Sequence, residues 1–187
     1  MKECEWTEQA LLPGDCLFRK IFEEGPIGVA LISLDFRILR ANLRFCKMLG
    51  YTEEEILSLG IDGITHPEDI DKDRHLANRL FAGEIPLFTI EKRYVCKDGR
   101  IIWGQLTASL VHDAQGGAIV GIGMIKDVTE QKLTEDALRE SEERFRAMSD
   151  GLPLVVWVHD AEGRQQFVNK SFADFFGVAI EEMKGDR

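Results

Sequence analysis

From residue 87 to residue 128 the apolar side chains recur at every second position in three successive stretches, 87–96, 101–112 and 118–128. A period of two sends alternate side chains to opposite faces of a strand. Lys97-Asp98-Gly99-Arg100 and Asp113-Ala114-Gln115-Gly116-Gly117 separate the stretches and carry the residues that hairpin turns need. Strands joined this tightly must run antiparallel, because a parallel neighbour requires a crossover of about a dozen residues or more. In the middle stretch Ile102, Leu106, Ala108 and Leu110 share one face, and Trp103, Gln105, Thr107 and Ser109 share the other. One face is therefore built for a core, and the amphipathic other face leaves room for something to pack on it.

What precedes this meander is of mixed type. After a leader over residues 1–16 comes a short helix with Phe18, Ile21 and Phe22 on one face. Residues 27–34 read as a buried strand, and Asp35-Phe36-Arg37 turns the chain into a second one through Ile38 and Leu39. Asn42 caps a helix bearing Phe45, Met48 and Leu49, which Gly50 ends. Thr52-Glu53-Glu54-Glu55 has the capping-box pattern. His66-Pro67-Glu68-Asp69 opens a longer helix carrying Ile70, Leu76, Leu80 and Phe81, closed by Gly83. Two strands, short helices and a three-stranded meander make an α+β domain over residues 17–129, with the helices on one face of an antiparallel sheet.

Charge and cysteine usage narrow the class. The 187 residues carry a formal net charge of −10, which disfavours nucleic acid and anionic membrane as partners. No apolar run approaches the roughly 18–20 residues of a membrane span, and the acidic start lacks the apolar core of a signal peptide. Cys4, Cys16, Cys46 and Cys96 are scattered, so neither a disulfide framework nor a zinc site is expected, and a reducing, cytoplasmic setting is the simplest reading.

Residues 130–148 contain no Gly or Pro and set Leu133, Leu138, Phe145 and Met148 among many charges, which predicts a long exposed connector helix. Thr134 and Ser141 fall on or near the seam, so the expected coiled coil is an adjustable one. The sequence then repeats itself. Phe18, Asn42, Phe45 and Gly50 return as Phe145, Asn169, Phe172 and Gly177 at a spacing of about 127 residues, and Asp35 is matched with Asp160 if two extra residues enter the next turn. Residues 145–187 are thus read as the incomplete N-terminal part of a second domain, ill-ordered or covered by swapping and dimer contacts, and the chain as a fragment of something longer.

The motif order Asn42-x-x-Phe45, Gly50-Tyr51-Thr52-x-x-Glu55, His66-Pro67-Glu68-Asp69, Lys97-Asp98-Gly99 with Trp103, Asp113-x-x-Gly116, and Gly121-Ile122 running into Asp127-Val128-Thr129-Glu130 resembles a PAS (Per-Arnt-Sim) sensory domain with its C-terminal PAC motif. Leu138 to Arg146 resembles the connector between tandem PAS domains. The resemblance implies a five-stranded antiparallel sheet with helices over one face, a small internal pocket, and homodimerisation through flanking helices. It also implies a sensory module of a bacterial signalling protein. The first expectation for that protein is a two-component histidine kinase whose output domain lies in the same polypeptide. The second is a cyclic-dinucleotide enzyme.

Leu76, Leu80, Phe81, Phe88, Leu106 and Ala108 are the expected pocket lining, and Asp127 and Thr129 the expected coupling between sheet and connector helix. No nucleophile elbow, phosphate-binding loop, zinc-protease helix or kinase signature is present, so no catalytic residue is assigned. The acids Glu68, Asp69, Asp71 and Asp73 read as a solvated helix face. Cys46 bears a likeness to the photoreactive cysteine of flavin-binding relatives but lies on a different helix, so a buried inert thiol is expected. No cofactor or metal is expected. The alternative is a haem held through His75, or through Lys72 one turn earlier, where the resemblance places the iron ligand.

Overall fold

The computed structural model describes residues 14–177. The expected leader up to residue 13, and residues 178–187 of the second copy, lie outside the described residues. The chain divides into two units at Glu130/Gln131.

The first unit opens with α1 (Gly14–Glu24), β1 (Gly28–Ile32), β2 (Ile38–Ala41), α2 (Leu43–Leu49), α3 (Glu53–Ile64) and α4 (Pro67–Phe81). It continues through β3 (Leu87–Val95), β4 (Ile101–His112) and β5 (Ala118–Asp127). The five strands form one antiparallel sheet in the order β2-β1-β5-β4-β3. The N-terminal strand thus sits between its own hairpin partner and the last strand, with Gly28 opposite Ile125 and Ile32 opposite Gly121. The meander forms in the expected stretches and places Ile102, Leu106 and Ala108 in the core.

Local chemistry sets the helix boundaries. Asn42 accepts a hydrogen bond from Phe45 N, and Gly50 closes α2 in the left-handed region at φ 79°. Thr52 and Glu55 form the capping box of α3, whose helical course is broken at Gly60 (φ 67°). His66 Nδ1 accepts from Glu68 N at the start of α4. Phe45, Leu49, Ile56, Ile64 and Leu80 join Ile90, Tyr94, Ile102 and Ile125 in one core. Gly104 is required there, because a Cβ would lie 2.5 Å from the Tyr94 ring. α1 lies beside α2, and from Phe18 to its end Phe22 is the one buried residue, while Phe18 and Ile21 are exposed.

α4 is latched to β3 by its first turn. Arg93 donates to both Asp69 oxygens, at 3.0 Å from Nε and 2.8 Å from Nη2, and its backbone N donates to Asp69 Oδ2 at 2.7 Å. These bonds, led by the Arg93 side chain, hold the Asp69 carboxyl at about 2, below its ordinary 3.8. A depressed carboxyl contributes stability above its unfolded value and loses it as pH falls toward 2. Asp69→Asn is therefore expected to lower unfolding free energy by about 1–2 kcal/mol at neutral pH, after allowance for partial exposure. The difference from the parent should vanish between about pH 4 and pH 2, read by urea denaturation across pH. A difference independent of pH would refute the charge-based latch.

The second unit comprises the greater part of α5 (Thr129–Asp150), then β6 (Trp157–His159), β7 (Gln165–Val168) and α6 (Lys170–Phe176). It repeats the asparagine clamp of the first unit bond for bond. Asn42 accepts from Val29 N and Phe45 N and donates to the carbonyls of Phe22 and Ile27. Asn169 accepts from Val156 N and Phe172 N and donates to the carbonyls of Ser149 and Leu154. The end of α5 therefore does for the second copy what α1 does for the first. The hairpin bonds also correct the repeat alignment. Asp160 N donates to Arg164 O as Ser33 N donates to Arg37 O, so Asp160 answers Ser33, not Asp35, and no residues are inserted.

Candidate functional site

Under α3 and α4 the sheet leaves a cavity of about 60 Å³. Of the six expected lining residues, Leu80, Phe81, Phe88, Leu106 and Ala108 line it. Leu76 does not. It packs half-buried against the core from another side. The rest of the lining includes Ile38, Phe45, Ile61, Ile64 and Ile125, Phe36 in the β1–β2 turn, and one charged pair.

That pair is Asp73 and Lys92, and the sequence reading missed it. Asp73 is 5% exposed and Lys92 2% exposed, so the expectation that the α4 acids form a solvated face fails at Asp73, as it does in part at Asp69, which is half-buried against Arg93. Lys92 Nζ is ion-paired with Asp73, donates to Thr65 Oγ1 at 2.9 Å, and lies 4.7 Å from the centre of the Tyr94 ring. Burial pulls the Lys92 ammonium below its ordinary pKa, and the Asp73 charge opposes that shift. Burial also pushes the Tyr94 hydroxyl above its ordinary pKa. The signal was legible. Phe88, Ile90, Lys92 and Tyr94 alternate on the core face of β3, and Asp73, Ala77 and Leu80 share one face of α4.

The donor set of the cavity does not suit haem. Lys72 and His75 are exposed and line nothing here, and the described lining holds no histidine, cysteine or methionine. Lys92 is committed to Asp73. The space is also far below the roughly 300–1,000 Å³ of a pocket for a drug-sized molecule. Cys46 and Cys96 are buried free thiols whose pKa burial raises, and neither lines the cavity. Among the described residues no three His, Cys, Asp or Glu side chains gather as metal ligands.

At the exit of β5 the backbone of Trp103 is held from both sides. Val128 N donates to Trp103 O at 2.9 Å, and Trp103 N donates to Thr129 Oγ1 at 2.9 Å. Asp127 Oδ1 accepts from Thr129 N at 2.9 Å. The Thr129 hydroxyl thus reaches across to β4, which a simple cap of its own helix would not do. Along α5, Leu133, Leu138 and Met148 are 64%, 61% and 69% exposed. Phe145 is partly committed within its own unit, its ring 5.0 Å from that of Phe167. No helix among the described residues is long and apolar enough to cross a membrane.

Comparison with known proteins agrees with this architecture. Residues 26–130 and, separately, residues 143–187 match family models described as PAS domain. The chain is 34% identical over 75% of its length to the Escherichia coli (strain K12) protein named "Probable diguanylate cyclase DgcE", of which it covers 13%. It is 26% identical over 75% of its length to the sensor histidine kinase TmoS of Ectopseudomonas mendocina, of which it covers 14%. A solved structure, the sensory box histidine kinase/response regulator of Burkholderia thailandensis E264, superposes with a TM-score of 0.55 over 70% of this chain and 98% of that one, at 24% identity. With the five-stranded sheet, the overlying helices and the repeated asparagine clamp, these matches show that the chain belongs to the PAS domain family and comprises one PAS domain followed by part of a second.

Proposed function

We propose that this chain is the cytoplasmic input and dimerisation segment of a bacterial signal-transduction protein, and that its first PAS unit senses through the cavity under α4. The observation that carries the reading is the junction at Asp127-Val128-Thr129. A guest that shifts α4 or β3 perturbs β4, and Trp103 of β4 is bonded through its N–H and its carbonyl to the first residues leaving the sheet. The helix that begins at Thr129 receives that shift as a change in its own packing, a bias between two states of one element. The relatives support two kinds of output in the same polypeptide, a histidine kinase and a cyclic-dinucleotide synthase.

The exposed stripe of α5 supports pairing with the same helix of a second copy, since homodimers are the commonest assembly and such a stripe holds a helix best against a partner. Sedimentation equilibrium at concentrations of about tens of micromolar is expected to show a dimer, weakened by roughly tenfold or more in Leu138→Glu, which buries a charge at the seam. Phe145→Glu is expected to weaken it less, because Phe145 already packs on Phe167. A strict monomer, or a dimer indifferent to both, removes α5 pairing from the mechanism. Native mass spectrometry of the purified chain tests the sensing half directly through any small molecule it retains.

A further inference from the structure

Four hairpin turns among the described residues share one geometry. The N–H of the first residue bonds to the carbonyl of the fifth, and the N–H of the fourth to the carbonyl of the first, in Ser33–Arg37, Cys96–Arg100, Asp113–Gly117 and Asp160–Arg164. The fourth residue is left-handed each time: Phe36 at φ 65°, Gly99 at 83°, Gly116 at 85° and Gly163 at 81°. Glycine adopts this conformation without strain, and a bulky residue does so against a steric penalty. Gly163 is the counterpart of Phe36 in the second copy, so within this one chain the same turn is built with and without the ring. Strained residues of this kind persist where the side chain is needed.

The Phe36 ring stands at the boundary of two spaces. Phe36, Ile61 and Asp73 line both the inner cavity and an outer vestibule of about 220 Å³, which Leu59, Gly60, Asp62 and Arg74 complete. The ring is half-buried and packs tilted against Phe81, their centres 4.6 Å apart. Behind it the space of about 60 Å³ is too small for a ring, whereas an apolar cavity of roughly 150 Å³ admits benzene. Withdrawing Phe36 supplies the missing volume and exposes an aromatic face for whatever replaces it. The charged residues of the inner wall, Asp73 and Lys92, are spent on each other, so a charged guest finds no free counterion.

We infer that Phe36 is a built-in stand-in for the ligand, and that the site takes an uncharged, apolar, single-ring molecule that enters by the vestibule, displaces the Phe36 ring and stacks on Phe81. This rests on the reading of the cavity as the sensory site and names the class of guest. The test uses the full chain with benzene and benzoate as probes, following the methyl resonances of Ile61, Leu106 and Ala108. The parent should bind benzene weakly. Phe36→Gly, which suits the left-handed turn, should bind it roughly tenfold or more tightly, because no plug has to be displaced. Phe36→Asn, also tolerated at such φ, should behave likewise, and benzoate should bind none of the three. Benzene failing to perturb those methyls in both variants, or binding no better than in the parent, overturns the inference, as does equal binding of benzoate. If the benzene arm fails while native mass spectrometry shows another small molecule held by the parent chain, the stand-in is wrong and the sensory reading stands. If no guest of any kind is held, both fall.

Discussion

Asn42→Ala is expected to lower the unfolding free energy of the first PAS unit by about 3–5 kcal/mol, enough to leave a domain of ordinary stability barely folded. Asn42 is fully buried, and its amide uses all its capacity: two hydrogen bonds donated, to Phe22 O at 2.7 Å and Ile27 O at 3.0 Å, and two accepted, from Val29 N and Phe45 N, both at 2.9 Å. Alanine removes the four together and leaves the Val29 and Phe45 amides and the Phe22 carbonyl in buried positions without these partners, so desolvation adds to the lost bonds. The four partners belong to the end of α1, the approach to β1, β1 itself and α2, which makes the side chain a tie among four separate segments. Asn42→Asp keeps the shape and the acceptors but turns a carboxylate toward two carbonyls, and should be no better than alanine. Urea denaturation reads the loss as a lower midpoint at unchanged slope. A loss under about 1 kcal/mol would mean the clamp is redundant. Asn169→Ala should disturb the second unit alone.

Asp73→Ala is the other severe change, with an expected loss of about 3–5 kcal/mol. The carboxylate is the counterion of Lys92, and removing it strands an ammonium in an apolar wall beside Tyr94. Replacing both partners, as Asp73→Leu with Lys92→Met, removes the stranded charge and should restore the parent's stability or exceed it by about 1–4 kcal/mol. The variants also separate by pH. Burial already holds Lys92 below its ordinary 10.5, and without Asp73 the neutral amine is favoured further. A folded state that binds fewer protons than the unfolded one gains stability as pH rises, so Asp73→Ala should recover part of its loss toward pH 10.5, and the double variant should show no such recovery. A single variant as stable as the double one would show that the pair does not matter to the core.

The meander and the Asn42 helix were legible because each rests on local rules: alternation, turn residues within five positions, a cap three residues from its donor. The ligand site was legible only in its apolar half. Phe88, Leu106 and Ala108 follow from alternation, but Leu76 was misplaced because the helical stripe of α4 is wider than the arc that meets the sheet. Asp73 was read as a surface residue by its charge and Lys92 drew no reading, although each stands in register with apolar neighbours. Opposite charges at core positions on two elements that must pack together are a signal of a buried pair, and pattern rules that score charge as exposure discard it. Phe36 was hidden differently. Its backbone strain depends on a turn type that the Asp35-Phe36-Arg37 sequence does not advertise, and only the counterpart glycine of the second copy makes it visible. The tie from Thr129 to Trp103 spans 26 positions and has no local signature.

The place of β1 in the sheet has a consequence for how the protein is made. Gly28 to Ile32 lie between β2 and β5, and their β5 partners are Gly121 to Ile125. On the ribosome the β1–β2 hairpin emerges early and must wait for almost the whole first unit before its inner edge is paired. Non-local pairing of this kind slows folding, and an unpaired apolar edge invites association with neighbouring chains. Synthesis of this unit therefore passes through a long interval in which the most buried strand is the least protected. Slower translation of the segment between β2 and β5 would lengthen that interval, and nascent-chain chaperones would have their greatest effect on yield there.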